Sequence, residues 1–325
     1  GAIAAGIIPT LMIKDTLQVD MYLKVGILFG ILFCMSSLIS FAGTWEKLKE
    51  PVKSSIGDSF SQAGSVFKSR SFRIFVGIYL SGQCGMDFVS GMAIYYVDEV
   101  LNGYSKGYLT MLMGVLLISQ LLGMLVFGPI MTKTSKKATI LIGAPIRIVC
   151  TLGLLAFSYE GAPIAPILAL SAGVGIGNAA TLTSIFAILA DMADVDELIT
   201  SVSRPGIVSG MATFARKISA GISAWVIGIL ISFAGYDASI AKAGLRQSLH
   251  TQNGIAMIFI FLPVILVTLL LIFGYMFPIT KKEFELVHKE IARRKGEDDS
   301  VATEEEKKVL KRVTGIEYEQ LWGNR

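Results

Sequence analysis

The sequence predicts an all-α protein that crosses a membrane repeatedly. Three observations carry that reading: an apolar composition, seven long apolar segments, and basic residues gathered on alternate connections. Of the 325 residues, 53% are hydrophobic and 17% charged, with a mean hydropathy of +0.64. That is too apolar and too weakly charged for a soluble domain of this length. The 33 glycines against 9 prolines suit close packing of membrane helices rather than a disordered linker. A net charge of +4 is modest and lies mostly in connections and tail, so no nucleic-acid partner is expected. Cys34, Cys84 and Cys150 each sit in an apolar run without metal-ligand or disulfide spacing and read as packing residues.

A membrane helix needs about 20 predominantly apolar residues. Residues 24–43, 74–97, 108–131, 138–158, 164–189, 207–234 and 255–277 meet or nearly meet that length. The opening run GAIAAGIIPTLM is no signal peptide and reads as the end of a further helix over residues 1–11. Polar connectors separate these segments, and residues 44–73 form the longest. The segment KKEFELVHKEIARRKGE is too charged to span; its apolar stripe is Phe284, Val287 and Ile291. A second tail helix is expected after a Ser300 or Thr303 cap, with Glu304 to Glu306 in its first turn and Lys311 and Arg312 near its end. The tail is expected to be a soluble, loosely docked helical segment with His288 solvated.

Loop charge sets the orientation. Residues 44–73, the TKTSKK turn and the 190–206 loop carry ten Lys and Arg; the opposite connections carry five, namely Lys14, Lys24, Lys106, Lys242 and Arg246. The tail after Phe277 adds eleven to the richer side, which predicts a cytoplasmic tail.

An ionisable side chain at the bilayer centre costs at least about 2.5–3.5 kcal/mol, so each one asks for a partner or a wet cavity. Asp87, Arg147, Arg216 and Lys217 are such residues. Lys217 lies about ten residues into its helix, roughly 15 Å deep, among small and polar neighbours, and is the candidate cavity residue. Arg216 points about 100° away and is assigned with Arg147 to structural buried charge. Tyr79, Gln83, Asp87 and Ser90 share one helix face, a polar stripe that faces a pore or a partner helix, so Tyr79, Gln83 and Asp87 join Lys217 as expected cavity residues; Asp87 supplies the negative charge that Lys217, Arg216 or Arg147 requires. Gln120, Asn178, Thr181 and Thr213 add mid-membrane hydrogen-bonding groups suited to a hydroxyl-rich ligand, or else to interhelical bonding. Gly173-Val-Gly-Ile-Gly177 fits a small-xxx-small packing face, not a dinucleotide loop, because no strand precedes it. With no P-loop, HExxH or serine elbow, an enzyme is not expected.

The block ADMADVDELITSVSRPGIVSGMATFARKISAGISAWVIGILISFAGYD, residues 190–237, resembles the glycoside-pentoside-hexuronide:cation symporters, the melibiose permease family within the major facilitator superfamily. Asp191 and Asp194 ending one helix, a basic residue near Arg204, the mid-helix Lys217 and the closing Gly235-Tyr236 carry the likeness. It implies the end of helix five plus helices six to twelve of a twelve-helix major facilitator bundle. Residues 1–43 would close the N-terminal bundle, 44–73 form a cytoplasmic central linker, 74–277 a C-terminal six-helix bundle and 278–325 a cytoplasmic helical tail. It also implies that Lys217 lies in the cation and sugar region, and that Asp191, Asp194 and Arg204 belong to a cytoplasmic gate. Leu182 stands where the family's sugar-contacting aromatic is found, and Arg216 is an added charge, so no galactoside preference follows.

The resemblance implies cation-coupled symport of a sugar or glycoside by alternating access, in a bacterial inner membrane, by a protein monomeric at full length. No cofactor is expected beyond the coupling cation, Na+ or H+, whose carboxylates the family carries in its first half. The expected partners are a small-molecule substrate and membrane lipid. The alternatives are a lysolipid or amphiphile symporter, which a lateral opening lined by apolar side chains would favour, and a non-transporting receptor or scaffold acting through its tail.

Overall fold

The computed structural model describes residues 19–43 and 63–323. The expected helix end over residues 1–11 and the linker segment 44–62 lie outside the described residues. Among the described residues the chain forms helices and turns without strands: α1 Val19–Gly43, α2 Arg70–Tyr95, α3 Tyr108–Lys133, α4 Lys136–Gly153, α5 Ile164–Thr200, α6 Pro205–Phe233, the short α7 Ala238–Lys242, α8 Leu249–Met276, α9 Lys281–Lys295 and α10 Glu304–Thr314.

Local chemistry sets many of these ends. Ser69, Ser135 and Ser248 cap α2, α4 and α8 by accepting from the N–H groups of Phe72, Ala138 and Thr251 at 3.3, 3.0 and 3.2 Å. Pro205 opens α6, where its missing N–H costs nothing. α9 and α10 begin in capping boxes, Thr280 with Glu283 and Thr303 with Glu306, and stop at left-handed Gly296 and Gly315.

Six of the expected spans are long and apolar enough to cross a membrane: α1, α3, α4 with its following turn, α5, α6 and α8. α2 has the length, 26 residues, but its polar stripe keeps it below their hydropathy. It is instead enclosed, with Phe72, Phe75, Ile78 and Met92 at 0–1% exposure. α1 is exposed along nearly its whole length, with only Val25 buried among its described side chains.

α5 is the spine of the bundle. It packs along α3 and α4, while α8 lies against α2 and α4, and α6 leans chiefly on α2. Glycine allows the closest approaches. A Cβ on Gly177 would lie 2.7 Å from the Gly143 carbonyl oxygen and 2.8 Å from the Arg147 backbone nitrogen. Gly173 and Gly175 abut Cys150 and Ser119 in the same way. The glycine run is therefore the surface that α3 and α4 rest on. Gly177→Leu is expected to force α4 off α5 at a cost of about 1–3 kcal/mol or more, measured as a lower thermal midpoint in detergent.

The basic connections meet at one end of the bundle. Arg204, before α6, reaches Ser65, before α2, at 3.0 Å. Lys137, opening α4, donates to the Phe277 carbonyl after α8 at 3.0 Å. Two expectations change at this end. The acidic residues do not sit in a turn after residue 189: α5 runs 37 residues to a left-handed Ser201, about 56 Å, well beyond the roughly 30 Å hydrocarbon core. Asp191, Asp194, Asp196 and Glu197 therefore ride on a protruding helix. The helix continues because α9 packs against this extension.

The tail, secondly, is not loosely docked. Val287, Leu310, Val313 and Leu321 are fully buried in the same cluster as Phe72, Ile188 and Leu198. The Ser71 hydroxyl donates to the Val313 carbonyl at 2.6 Å. The buried Glu290 accepts from Arg293 at 3.1 Å, Arg294 at 2.9 Å and the Tyr318 hydroxyl at 2.7 Å. Glu306 is pulled down to about 2, chiefly by the Thr303 backbone N–H and further by Arg293 and Lys289. Nor is His288 simply solvated: it sits 3.4 Å from Asp194 and edge-on to Phe284.

Candidate functional site

The ionisable groups in the middle of the bundle resolve into two arrangements. The first is an ion pair between α2 and α6: Arg216 donates to Asp87 at 2.7 Å, with about a quarter or less of either side chain exposed. Among the three cations that Asp87 could serve, the tertiary structure selects Arg216. The pair is incomplete, since the second Asp87 oxygen and Arg216 Nη1 are buried without a hydrogen-bonding partner. Lys217, the next residue, points to the exposed face of α6 with Thr213 one turn before it. It forms no ion pair or hydrogen bond with any described residue.

The second arrangement is a buried network centred on Arg147 of α4. Its side chain is fully buried and donates to Asn178 Oδ1 on α5 at 3.0 Å and, more weakly, to the Gly82 carbonyl on α2 at 3.4 Å. Asn178 passes the chain on to Gln120 of α3 at 2.8 Å. Gly85 leaves room for the guanidinium, because a Cβ there would lie 2.8 Å from Arg147 Nη2. Four helices are thus joined through one arginine that has no carboxylate partner among the described residues.

Not every residue of the expected cavity faces open space. Tyr79 is 8% exposed and stacks on Phe75 with ring centroids 5.7 Å apart, so it belongs to the core. Thr181 is 1% exposed, its hydroxyl turned to its own helix at Gly177 and its methyl against Gly82. Asn178, 2% exposed, serves the network rather than an open face. Gln83 and Gln120 are half-buried, while Lys217, Thr213 and Ser90 are exposed. The polar stripe of α2 is therefore graded, enclosed at Tyr79 and open by Ser90.

At the basic end, Asp191 pairs with Lys136, Asp194 faces His288, and Arg204 grips Asp196 with two bonds of 2.8 Å. Glu197 meets Lys295 of α9 at 2.7 Å. Lys136, Asp196, Glu197, His288 and Lys295 were not singled out for these roles by sequence. Their partners lie 8 to 98 residues away, and only the protrusion of α5 brings them together. Among the described residues no cluster of three or more His, Cys, Asp or Glu is arranged to hold a metal ion.

The likeness to known proteins extends along most of the chain. The family described as MFS/sugar transport protein matches residues 1–281. The chain is 27% identical over 212 residues to a glucuronide carrier protein homolog of Escherichia coli, covering 64% of this chain and 44% of that protein. It is 25% identical over 309 residues to a candidate sulfoquinovose importer of Salmonella typhimurium, covering 90% of this chain and 60% of that one. An isoprimeverose transporter of Lactiplantibacillus pentosus is 23% identical over 254 residues, 75% and 49% respectively. The matched regions span roughly half the length of these relatives.

Proposed function

The chain belongs to the MFS/sugar transport protein family, a family of transporters rather than enzymes, and is an integral membrane protein; from that premise we propose that it supplies the C-terminal wall of a cation-coupled sugar or glycoside symporter. The observation that carries this reading is Lys217: a mid-helix cation, exposed and unpaired among the described residues, beside the Asp87–Arg216 pair. A lysine cannot remain unpartnered in hydrocarbon. It calls for an anionic group or a polar ligand opposite α6, from a facing bundle or from substrate. Gln83, Ser90 and Thr213 offer a hydroxyl-rich ligand further bonds nearby. The relatives' names, a glucuronide carrier, a sulfoquinovose importer and an isoprimeverose transporter, all concern sugars.

In the transport cycle the two bundles rock about a midplane site. The pairs at the basic end, Asp191 with Lys136, Asp194 with His288 and Arg204 with Asp196, are the gate, which must exchange partners as the bundles move; the half-exposed His288–Asp194 pair is the weakest of the three. The basic connections at this end support a cytoplasmic side for it and for the tail, in the inner membrane that this reading assigns to the transporter. The coupling ion is Na+ or H+, bound opposite this wall, and the working unit is a monomer.

Lys217→Ala in the complete transporter tests the reading. Loss of a charged hydrogen bond of about 1.5–3 kcal/mol is expected to lower coupled sugar uptake roughly 10- to 100-fold and to abolish its cation dependence. Unchanged uptake with unchanged cation dependence would remove Lys217 from the site.

The amphiphile reading retains one supporting observation, an apolar cleft open between α2, α6 and α8. Uptake of a lysolipid, and of no sugar, would put that reading first. The scaffold alternative loses its surface, since the tail's apolar stripe is buried against the bundle.

A further inference from the structure

α6 carries two unlike faces. Lys217 and Thr213 occupy one. Around the helix, Phe214, Ile218 and Ile222 stand 58%, 49% and 55% exposed at helical spacing. They form one side of a cleft of about 630 Å³ whose other walls are Leu80 and Phe88 of α2 and Leu266 of α8. The cleft exists because α6 leans on α2 and barely meets α8. Its few polar atoms are largely spoken for, with Cys84 and Ser219 bonded to each other at 2.6 Å. From Met211 to Val226 it follows α6 for about 22 Å, more than the roughly 15 Å depth of one leaflet's hydrocarbon.

The occupant is indicated by charge at one end. Phe67 closes the cleft at the basic end of the bundle. Arg73 donates to the Phe67 and Lys68 carbonyls at 2.8 and 2.9 Å, which fixes a cation there. Lys68 and Arg70 are exposed beside it, and none of the three has an ion-pair partner among the described residues. A long apolar slot ending in unpaired cations matches a molecule with a long apolar chain and an anionic head. A neutral sugar matches neither part.

We propose that the α2/α6/α8 cleft is a binding site for an anionic phospholipid, with one acyl chain lying along α6 and the headgroup held by Lys68 and Arg73. The lipid fills the gap that α6 leaves against α8, and so steadies the helix that carries Arg216 and Lys217. This site adjoins the proposed sugar site on the neighbouring faces of α2 and α6, and lipid binding is measured without reference to sugar uptake.

The full chain, purified in detergent, is titrated with phosphatidylglycerol or with phosphatidylcholine of the same acyl chains. Bound lipid is counted by native mass spectrometry and stability is followed by thermal unfolding. Phosphatidylglycerol is expected to bind saturably and raise the midpoint, with phosphatidylcholine weaker. The double variant Lys68→Gln/Arg73→Gln, altered only at the exposed collar, is expected to weaken phosphatidylglycerol by at least about tenfold and to erase the preference. Ile218→Trp, which fills the slot from an exposed position, is expected to weaken both lipids. Equal binding of the two lipids by the unaltered chain overturns the headgroup assignment. Undiminished phosphatidylglycerol binding in the charge variant, or in a folded Ile218→Trp, overturns the site. Uptake of lysophosphatidylglycerol into cells that is lost in Ile218→Trp overturns the resident role and makes the cleft a transport path.

Discussion

Asp87→Ala is expected to destabilise the bundle by about 3–5 kcal/mol and to abolish uptake by the complete transporter. Removing the carboxylate leaves Arg216 as an uncompensated cation within the membrane, in a pair that already has one buried nitrogen and one buried oxygen unbonded. Breaking such a pair costs more than the pair contributes, because the remaining charge has lost its ion-pair partner without regaining full hydration. Two measurements separate the parts of this effect: thermal unfolding in detergent and uptake in cells. Arg216→Ala alone is expected to be comparably harmful, and Asp87→Ala/Arg216→Ala to recover a large part of the stability, because neither charge is then orphaned. Uptake is not expected to recover with it, since Lys217 then faces the site without the pair's field. A double variant no more stable than the single ones would show that the pair is not the unit that matters.

Glu290→Ala is expected to release the tail. Glu290 is completely buried and accepts from Arg293, Arg294 and Tyr318 at once. Its loss strands the Tyr318 hydroxyl and leaves Arg294 with the Tyr318 carbonyl and ring but no ion-pair partner among the described residues, while Arg293, 7% exposed, keeps Glu306. A cost of about 3–5 kcal/mol is expected locally. It should appear as protease cleavage between residues 296 and 303 and as faster amide exchange across α9 and α10, with α3, α4, α6 and α8 unchanged. The loss should extend to the ends of α5 and α2, because Lys295–Glu197 and Ser71–Val313 hold the tail to them. Protection of α9 equal to that of the unaltered chain would show that apolar burial alone docks the tail.

Much of the fold was legible because bilayer thickness imposes one rule on every span. Runs of about 20 apolar residues must be helices, since no other local structure satisfies its own backbone in hydrocarbon. All seven expected segments are helices, with ends shifted by a few residues where caps were not read. The exception is α5: Asp191, Asp194, Asp196 and Glu197 look like a helix end in hydropathy, yet their helix continues against α9. The tail was misjudged for a related reason. Its stripe of Phe284, Val287 and Ile291 was visible, but the stripe alone does not reveal that α2, α5 and α10 complete a pocket around it. For the candidate site, sequence located the mid-membrane charges Asp87, Arg147, Arg216 and Lys217 and could not pair them, and it passed over the buried Asp196. Asp87 and Arg216 are 129 residues apart, and Lys217 is only one residue further on.

Hydropathy, loop charge and the glycine run by themselves determined that this protein is a helical membrane bundle, which end is basic, and which residues are too polar to be there without reason. Those properties follow from the cost of placing each side chain in a bilayer, a cost that each segment bears independently of its neighbours. Only the tertiary structure decided that Asp87 belongs to Arg216 and, among the described residues, that Arg147 holds four helices together without a carboxylate and that Lys217 has no partner. The angle at which each helix meets its neighbours makes those choices. A turn of 100° between Arg216 and Lys217 sends one cation toward Asp87 inside the bundle and the other to the exposed face of α6.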